Sequence, residues 1–236
     1  MRTEGGRAFS CFLGEWFEGY SELHVSRDPE DGALKLMVWD EDRGPFFLSP
    51  GREAAFYERA AFILTCFYDL ETFEQIFPWH HAAGDFVIKC SGDRTDVKLV
   101  TARQRAAMFS TENADLDSIL KGALFFLLNM SIRMRLDRID GTGQIAWAQN
   151  FAADNAYKGF VKALSAKERL LSMPSSPEIC FLDFFSTCSY GDIKDMTMAI
   201  VDSYNPVAPD MPVIRKNIDA HINRIFGLAQ KTGQIF

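Results

Sequence analysis

Two extended runs joined by a short polar connection constrain this chain more than any other feature of its sequence. Phe86–Cys90 and Asp96–Thr101 flank Ser91-Gly92-Asp93-Arg94-Thr95. A connection that brief cannot carry a parallel crossover, which takes a dozen residues or more. The spacing therefore predicts an antiparallel hairpin with Asp85 and Thr101 at the same end.

Around that hairpin the hydrophobic period changes. Upstream, Arg52–Phe77 carries Ala55, Phe56, Ala60, Ile63, Cys66, Phe67, Leu70 and Phe73 at helical spacing, which predicts one long helix with a weak point near Asp69, stopped by Pro78. Before it, Ser21–Ser26 alternates polar with apolar, Asp28-Pro29-Glu30-Asp31-Gly32 supplies turn chemistry, and Ala33–Trp39 resumes the extended pattern. Downstream, Asp115–Arg138, Asn155–Met173, Glu178–Thr187, Asp192–Tyr204 and Val213–Thr232 all read as helices. The fold class expected is α+β: a small N-terminal β-sheet within residues 1–50, then a main body over 51–236 with a central β-hairpin and a mostly helical C-terminal half, packed as one compact unit.

Composition narrows the function classes. A hydrophobic fraction of 47% with 21 Phe supplies ample core material for a globular chain. The net charge of −7 repels phosphate backbones and argues against extended nucleic-acid binding. The opening segment is interrupted by Glu4, Glu15 and Glu18, and no apolar stretch reaches the roughly 18 residues of a membrane span, so a soluble, cytoplasmic protein is expected. Cys11, Cys66, Cys90, Cys180 and Cys188 are scattered and never form CxxC, which reads as reduced thiols packed as small hydrophobes.

The residues able to do chemistry concentrate between Trp79 and Arg103. His80-His81-Ala82-Ala83-Gly84-Asp85 spells HHxxxD and resembles the motif of condensation-domain and chloramphenicol-acetyltransferase-like acyltransferases. That resemblance implies His81 as a general base, work that suits a near-neutral pKa. Asp85 followed by Asp96-Val97-Lys98 is similar to the D…(D/E)xK pattern of metal-dependent nucleases. Pairing across the predicted hairpin places Asp96 opposite Cys90 and Asp85 near Thr101, about 16 Å apart at ~3.3 Å per residue, too far for one Mg²⁺ to bridge.

The open end of the same hairpin gathers His80, His81 and Asp85 with Thr101 and Arg103. The order of long helix, loop, short hairpin and further helices over residues 52–138 resembles the large-lobe core of aminoglycoside-phosphotransferase-like and protein-kinase-like folds. In those families the loop supplies a catalytic Asp and a metal-binding Asn, and the hairpin's exit a second metal-binding Asp. By position, His80 stands for the catalytic Asp, Asp85 for the Asn and Thr101 for the exit Asp, while Lys35 is the candidate ATP-positioning lysine. The resemblance implies a degenerate phosphotransferase-like protein that binds a nucleotide or another ligand without ordinary catalysis.

The bland alternative is a non-enzymatic interaction module, in which Trp79 anchors the core, a histidine bonds a carbonyl and Asp85 caps a turn. Together these readings nominate His81, His80 and Asp85 as catalytic candidates and Thr101 and Arg103 as cofactor-binding candidates. They leave the metal undecided, point to Mg²⁺ or a nucleotide as the cofactor to test, and give a small molecule or a protein as the partner. Elsewhere, Arg133, Arg135, Asp137, Arg138 and Asp140 read as an ion-paired helix end, Asp140–Gly143 as a turn, Leu124–Leu128 as a buried helix centre, and His24 and His221 as isolated.

Overall fold

The computed structural model describes residues 2–4, 7–9, 14–80, 84–109, 114–139 and 141–232, with backbone alone for the first two segments. In chain order they hold β1 (Arg2–Glu4), β2 (Arg7–Phe9), β3 (Glu22–Arg27), β4 (Leu34–Trp39), β5 (Phe46–Phe47), α1 (Pro50–Phe67), β6 (Glu74–Ile76), β7 (Phe86–Ser91), β8 (Arg94–Leu99), β9 (Arg105–Ala107), α2 (Leu116–Arg133), β10 (Leu136–Arg138), β11 (Ile145–Trp147), α3 (Asn150–Ser165), α4 (Pro177–Thr187), α5 (Tyr190–Ser203) and α6 (Met211–Thr232). The architecture is α+β, with small antiparallel sheets first and a helical C-terminal half.

Both predicted hairpins form. β3 and β4 pair around the Asp28–Gly32 turn, where Gly32 takes φ +70° and Asp28 accepts the Glu30 N–H. β7 and β8 pair antiparallel from Phe86↔Leu99 to Ser91↔Arg94. The turn is tighter than the sequence suggests: Asp96 faces Lys89, not Cys90, and the Asp85 carbonyl accepts from Val100 N–H. Asp85 and Thr101 still share one end of the hairpin.

The expected Arg52–Phe77 helix stops at Phe67. Beyond it, the Asp69 carboxylate accepts the N–H groups of Glu71 and Thr72, Phe73 adopts φ +59°, and Glu74–Ile76 becomes a strand. A local side-chain turn has won over a helical apolar period. Lys167, from after α3, donates to the Cys66 and Tyr68 carbonyls left open at the helix end.

The Asp115–Arg138 helix is likewise cut at Arg133, and its last residues form strand β10, paired with β11. Here the charges that read as a helix terminus serve tertiary contacts. Arg135 is buried, donates from Nε to the Ala148 carbonyl and lies 4.7 Å over the Trp147 ring. Three helices start on side-chain caps: Asp115 caps α2, Ser176 precedes Pro177 of α4, and Ser189 and Asp192 form a reciprocal capping box on α5.

Helix α1 joins the two halves. On its sheet side the buried Glu53 accepts the Leu36 N–H at 2.5 Å, and Phe56 meets Phe86 edge-on. On its other side it runs against α3 so closely that a Cβ built on Gly159 would stand 2.0 Å from the Glu58 carbonyl oxygen. One cluster of buried apolar side chains then continues from Leu23 to Ala229, with α2 inside it on nearly every face. Leu124–Leu128 is thus a buried helix centre, and among the described residues no helix is long and apolar enough to cross a membrane.

Gly159→Ala should therefore destabilise the protein by roughly 3 kcal/mol or more in urea unfolding, because backbone cannot move aside. Gly227→Ala, whose new Cβ would meet nothing within 4 Å, should stabilise by about 0.5–1 kcal/mol as a helix-interior glycine replaced. Equal effects at the two sites would contradict the close α1–α3 contact.

His221, on α6, is fully buried against Ser131 of α2 and Trp147 of β11. Ser131 Oγ gives its one proton to the Leu128 carbonyl, so at 3.0 Å it accepts from His221 Nε2–H, and Nδ1 is left to accept from Arg135 at 3.4 Å. Burial, with the Arg135 guanidinium adding to it, holds the imidazole down to about 3. The folded state refuses a proton that the unfolded state takes below its ordinary value of about 6.5, so the contribution is complete above that pH and is lost as pH falls. Between pH 6.5 and 5 the wild type should lose about 1.5 kcal/mol of stability that His221→Gln does not lose. Parallel pH profiles for the two proteins would refute the assignment.

Candidate functional site

Two ladders bracket the candidate segment. β6 pairs with β9 from Glu74↔Ala107 to Ile76↔Arg105, β7 pairs with β8, and the end residues of the connections 77–85 and 100–104 are thereby brought together, 77 beside 104 and 85 beside 100. Phe77 N–H donates to the Gln104 carbonyl at one end, and Val100 N–H to the Asp85 carbonyl at the other. Trp79, 2% exposed, packs edge-on against Phe86 and fixes the first connection from below.

Asp85 is the internal fastener of this arrangement. Its side chain is 1% exposed; Oδ2 accepts the His80 backbone N–H at 2.7 Å, and Arg103 Nη2 stands 2.8 Å from Oδ1, an ion pair whose angle falls short of a hydrogen bond. The carboxylate thus determines where the His80 ring and the Arg103 guanidinium emerge.

They emerge into a cavity of about 640 Å³. His80 and Arg103 form part of its wall, joined by His24 from β3, Arg133 from the end of α2, Asp137 and Arg138 from β10, and Asp210 before α6; Leu136, Ile139, Ile145 and Pro209 make its apolar floor. Arg133 Nη1 pairs with Asp210 at 2.8 Å. Asp137 accepts the Val25 N–H at 2.8 Å and the Arg138 N–H at 2.7 Å, tying β10 to the free side of β3. The cavity walls desolvate His80 and the nearby Arg133 and Arg103 add positive charge, so its pKa lies below the ordinary histidine value even though part of the ring meets solvent.

Of the residues nominated from sequence, His80, Asp85 and Arg103 come together, the first and last at the cavity wall and Asp85 behind them. Thr101 is half-buried at the same end of the hairpin but does not line the cavity. His81 lies outside the described residues. Lys35 is turned to the β3–β4 turn, 2.7 Å from both Asp28 and Asp31, away from the site. Asp96 accepts from Tyr20 Oη at 2.5 Å and sits about four strand positions from Asp85, roughly 13 Å at ~3.3 Å per residue.

Sequence reasoning missed His24, Arg133, Arg138 and Asp210. The first is a lone histidine on an alternating strand, and the arginines sit in a charge cluster that reads as a helix end; only the β10–β11 hairpin, folded back against β3, turns them to one space. No family model, curated protein or solved structure matches the chain.

Asp85→Ala should cost about 2–3 kcal/mol in urea unfolding, since it removes the acceptor of a backbone donor and the partner of Arg103. Thr101→Ala should stay within about 0.5 kcal/mol of the wild type. A near-neutral Asp85→Ala would show that the carboxylate does not fasten the loop.

Proposed function

We propose that this protein binds a nucleotide or another small phosphorylated molecule on a phosphotransferase-like core, without transferring the phosphoryl group. The observation that carries the reading is the cavity itself: three arginines and two histidines stand around an apolar floor at the open end of the central hairpin. A volume of about 640 Å³ with apolar walls and a few convergent polar groups suits a drug-sized or nucleotide-sized ligand. The order of helix, loop, hairpin and following helices supports the core resemblance. Catalysis lacks its parts, because His80 occupies the place of the catalytic aspartate and Thr101 that of the exit aspartate. The scattered spacing of the five cysteines, never CxxC, supports a reducing, cytoplasmic setting.

A thermal-shift panel of nucleotides and sugar phosphates, with and without Mg²⁺, tests this. A ligand at a hundredfold excess over its Kd adds about 2.7 kcal/mol to the folded state, which for a chain of this size raises Tm by about 5–10 °C. The matching expectation is no turnover of the bound compound on incubation with acceptor alcohols. Failure of every phosphorylated compound to shift Tm would leave the interaction-module reading in its place.

A further inference from the structure

The core resemblance implies a divalent cation held by an Asn of the loop and an Asp at the hairpin exit. The donor set of this site does not fit one. Mg²⁺ is held by hard oxygens, commonly one or two carboxylates together with the ligand's phosphates, in a tight octahedron. Here the exit position is Thr101, a neutral hydroxyl on a residue that does not line the cavity. The loop position is Asp85, 1% exposed, which spends one oxygen on the His80 N–H and turns the other to Arg103. Among the described residues, the two carboxylates that line the cavity are also engaged, Asp210 by Arg133 and Asp137 by the backbone N–H groups of Val25 and Arg138. Among the described residues no group of three metal-ligating side chains gathers anywhere. Beside Asp85 stands the Arg103 guanidinium instead, and Arg133 and Arg138 line the same cavity as Arg103.

Those guanidinium groups have donors to spare. Each arginine carries five N–H donors in a planar fork. Arg103 turns Nη2 to Asp85, and Arg133 gives Nη1 to Asp210. Arg138 is exposed, and among the described residues its guanidinium has no acidic partner. A planar fork meets phosphate or carboxylate through two parallel hydrogen bonds, which a point charge cannot do.

Building on the proposed ligand class, we infer that Arg138, with Arg103 and Arg133, holds the ligand's phosphate directly, and that binding needs no divalent cation. Burial, with the charges of Arg133 and Arg103 adding to it, lowers the pKa of the neighbouring His80.

The test is calorimetric titration of the whole chain with ADP and with inorganic pyrophosphate, each in EDTA and in excess Mg²⁺. At least one probe should bind in EDTA with a Kd no weaker than in Mg²⁺, because the cation neutralises the charge that the arginines read. Arg138→Ala should weaken that binding about tenfold or more, and Arg138→Glu further still. Arg138 is exposed, so these variants should stay close to the wild-type Tm. Binding that appears only with Mg²⁺ overturns metal-free recognition while leaving the ligand-binding reading in place. Unchanged affinity in both Arg138 variants overturns the assignment of the arginines. The absence of binding for both probes in both buffers overturns the inference together with the ligand class it rests on.

Discussion

The approach of α1 to α3 at Gly159 is the constraint on which the other parts depend. Helix α1 has to face a sheet and a helical bundle at once, and an 18-residue helix has only so much surface. Backbone contact on the α3 side leaves the opposite side, with Glu53 and Phe56, free to hold the Leu36 N–H and the hairpin. Phe86 packs against Phe56 and Trp79 against Phe86, so the position of the loop carrying His80 is inherited, ring by ring, from α1. Interiors are dense enough that such a chain transmits position without a covalent link.

Much of this was legible in the sequence because local signals agreed with the tertiary outcome. The brief Ser91–Thr95 connection allowed only an antiparallel pair, the helix read from Asp115 starts with that residue as its cap, and those read from Glu178 and Asp192 begin at Pro177 and Tyr190. The failures share one cause. In 68–77 and in 134–138 the apolar and charged spacing is compatible with helix, yet the backbone is fixed by partners far away in sequence: Arg105–Ala107 for the first segment, Val25 and His221 for the second. A window of neighbouring residues carries no information about those partners. The candidate site divides in the same way: its half on the loop and hairpin exit was visible, and its half on β3 and β10 was not.

Acidic side chains in and around the cavity do structural work. Asp85 fixes the loop, Asp137 ties two sheets together, and Asp210 draws the start of α6 toward Arg133 at the end of α2. Each removes a carboxylate from solvent-facing chemistry by engaging it with a donor of the protein itself. The guanidinium groups are only partly used by these contacts, so the same interactions that build the walls also set the chemical character of the space between them.

A chain with a net charge of −7 would, taken whole, repel a phosphorylated ligand. Net charge acts over distances at which salt screens it, about 8 Å at physiological ionic strength, whereas a ligand in contact with Arg103, Arg133 and Arg138 feels charges a few ångströms away. On the proposed reading, the acidic net charge bears mainly on encounter and the cavity wall on what is held. A small phosphate ester that entered the cavity would leave the long-range field behind, whereas a long nucleic-acid backbone would meet it in full, so an acidic protein could discriminate between the two while using the same arginine chemistry that would bind either.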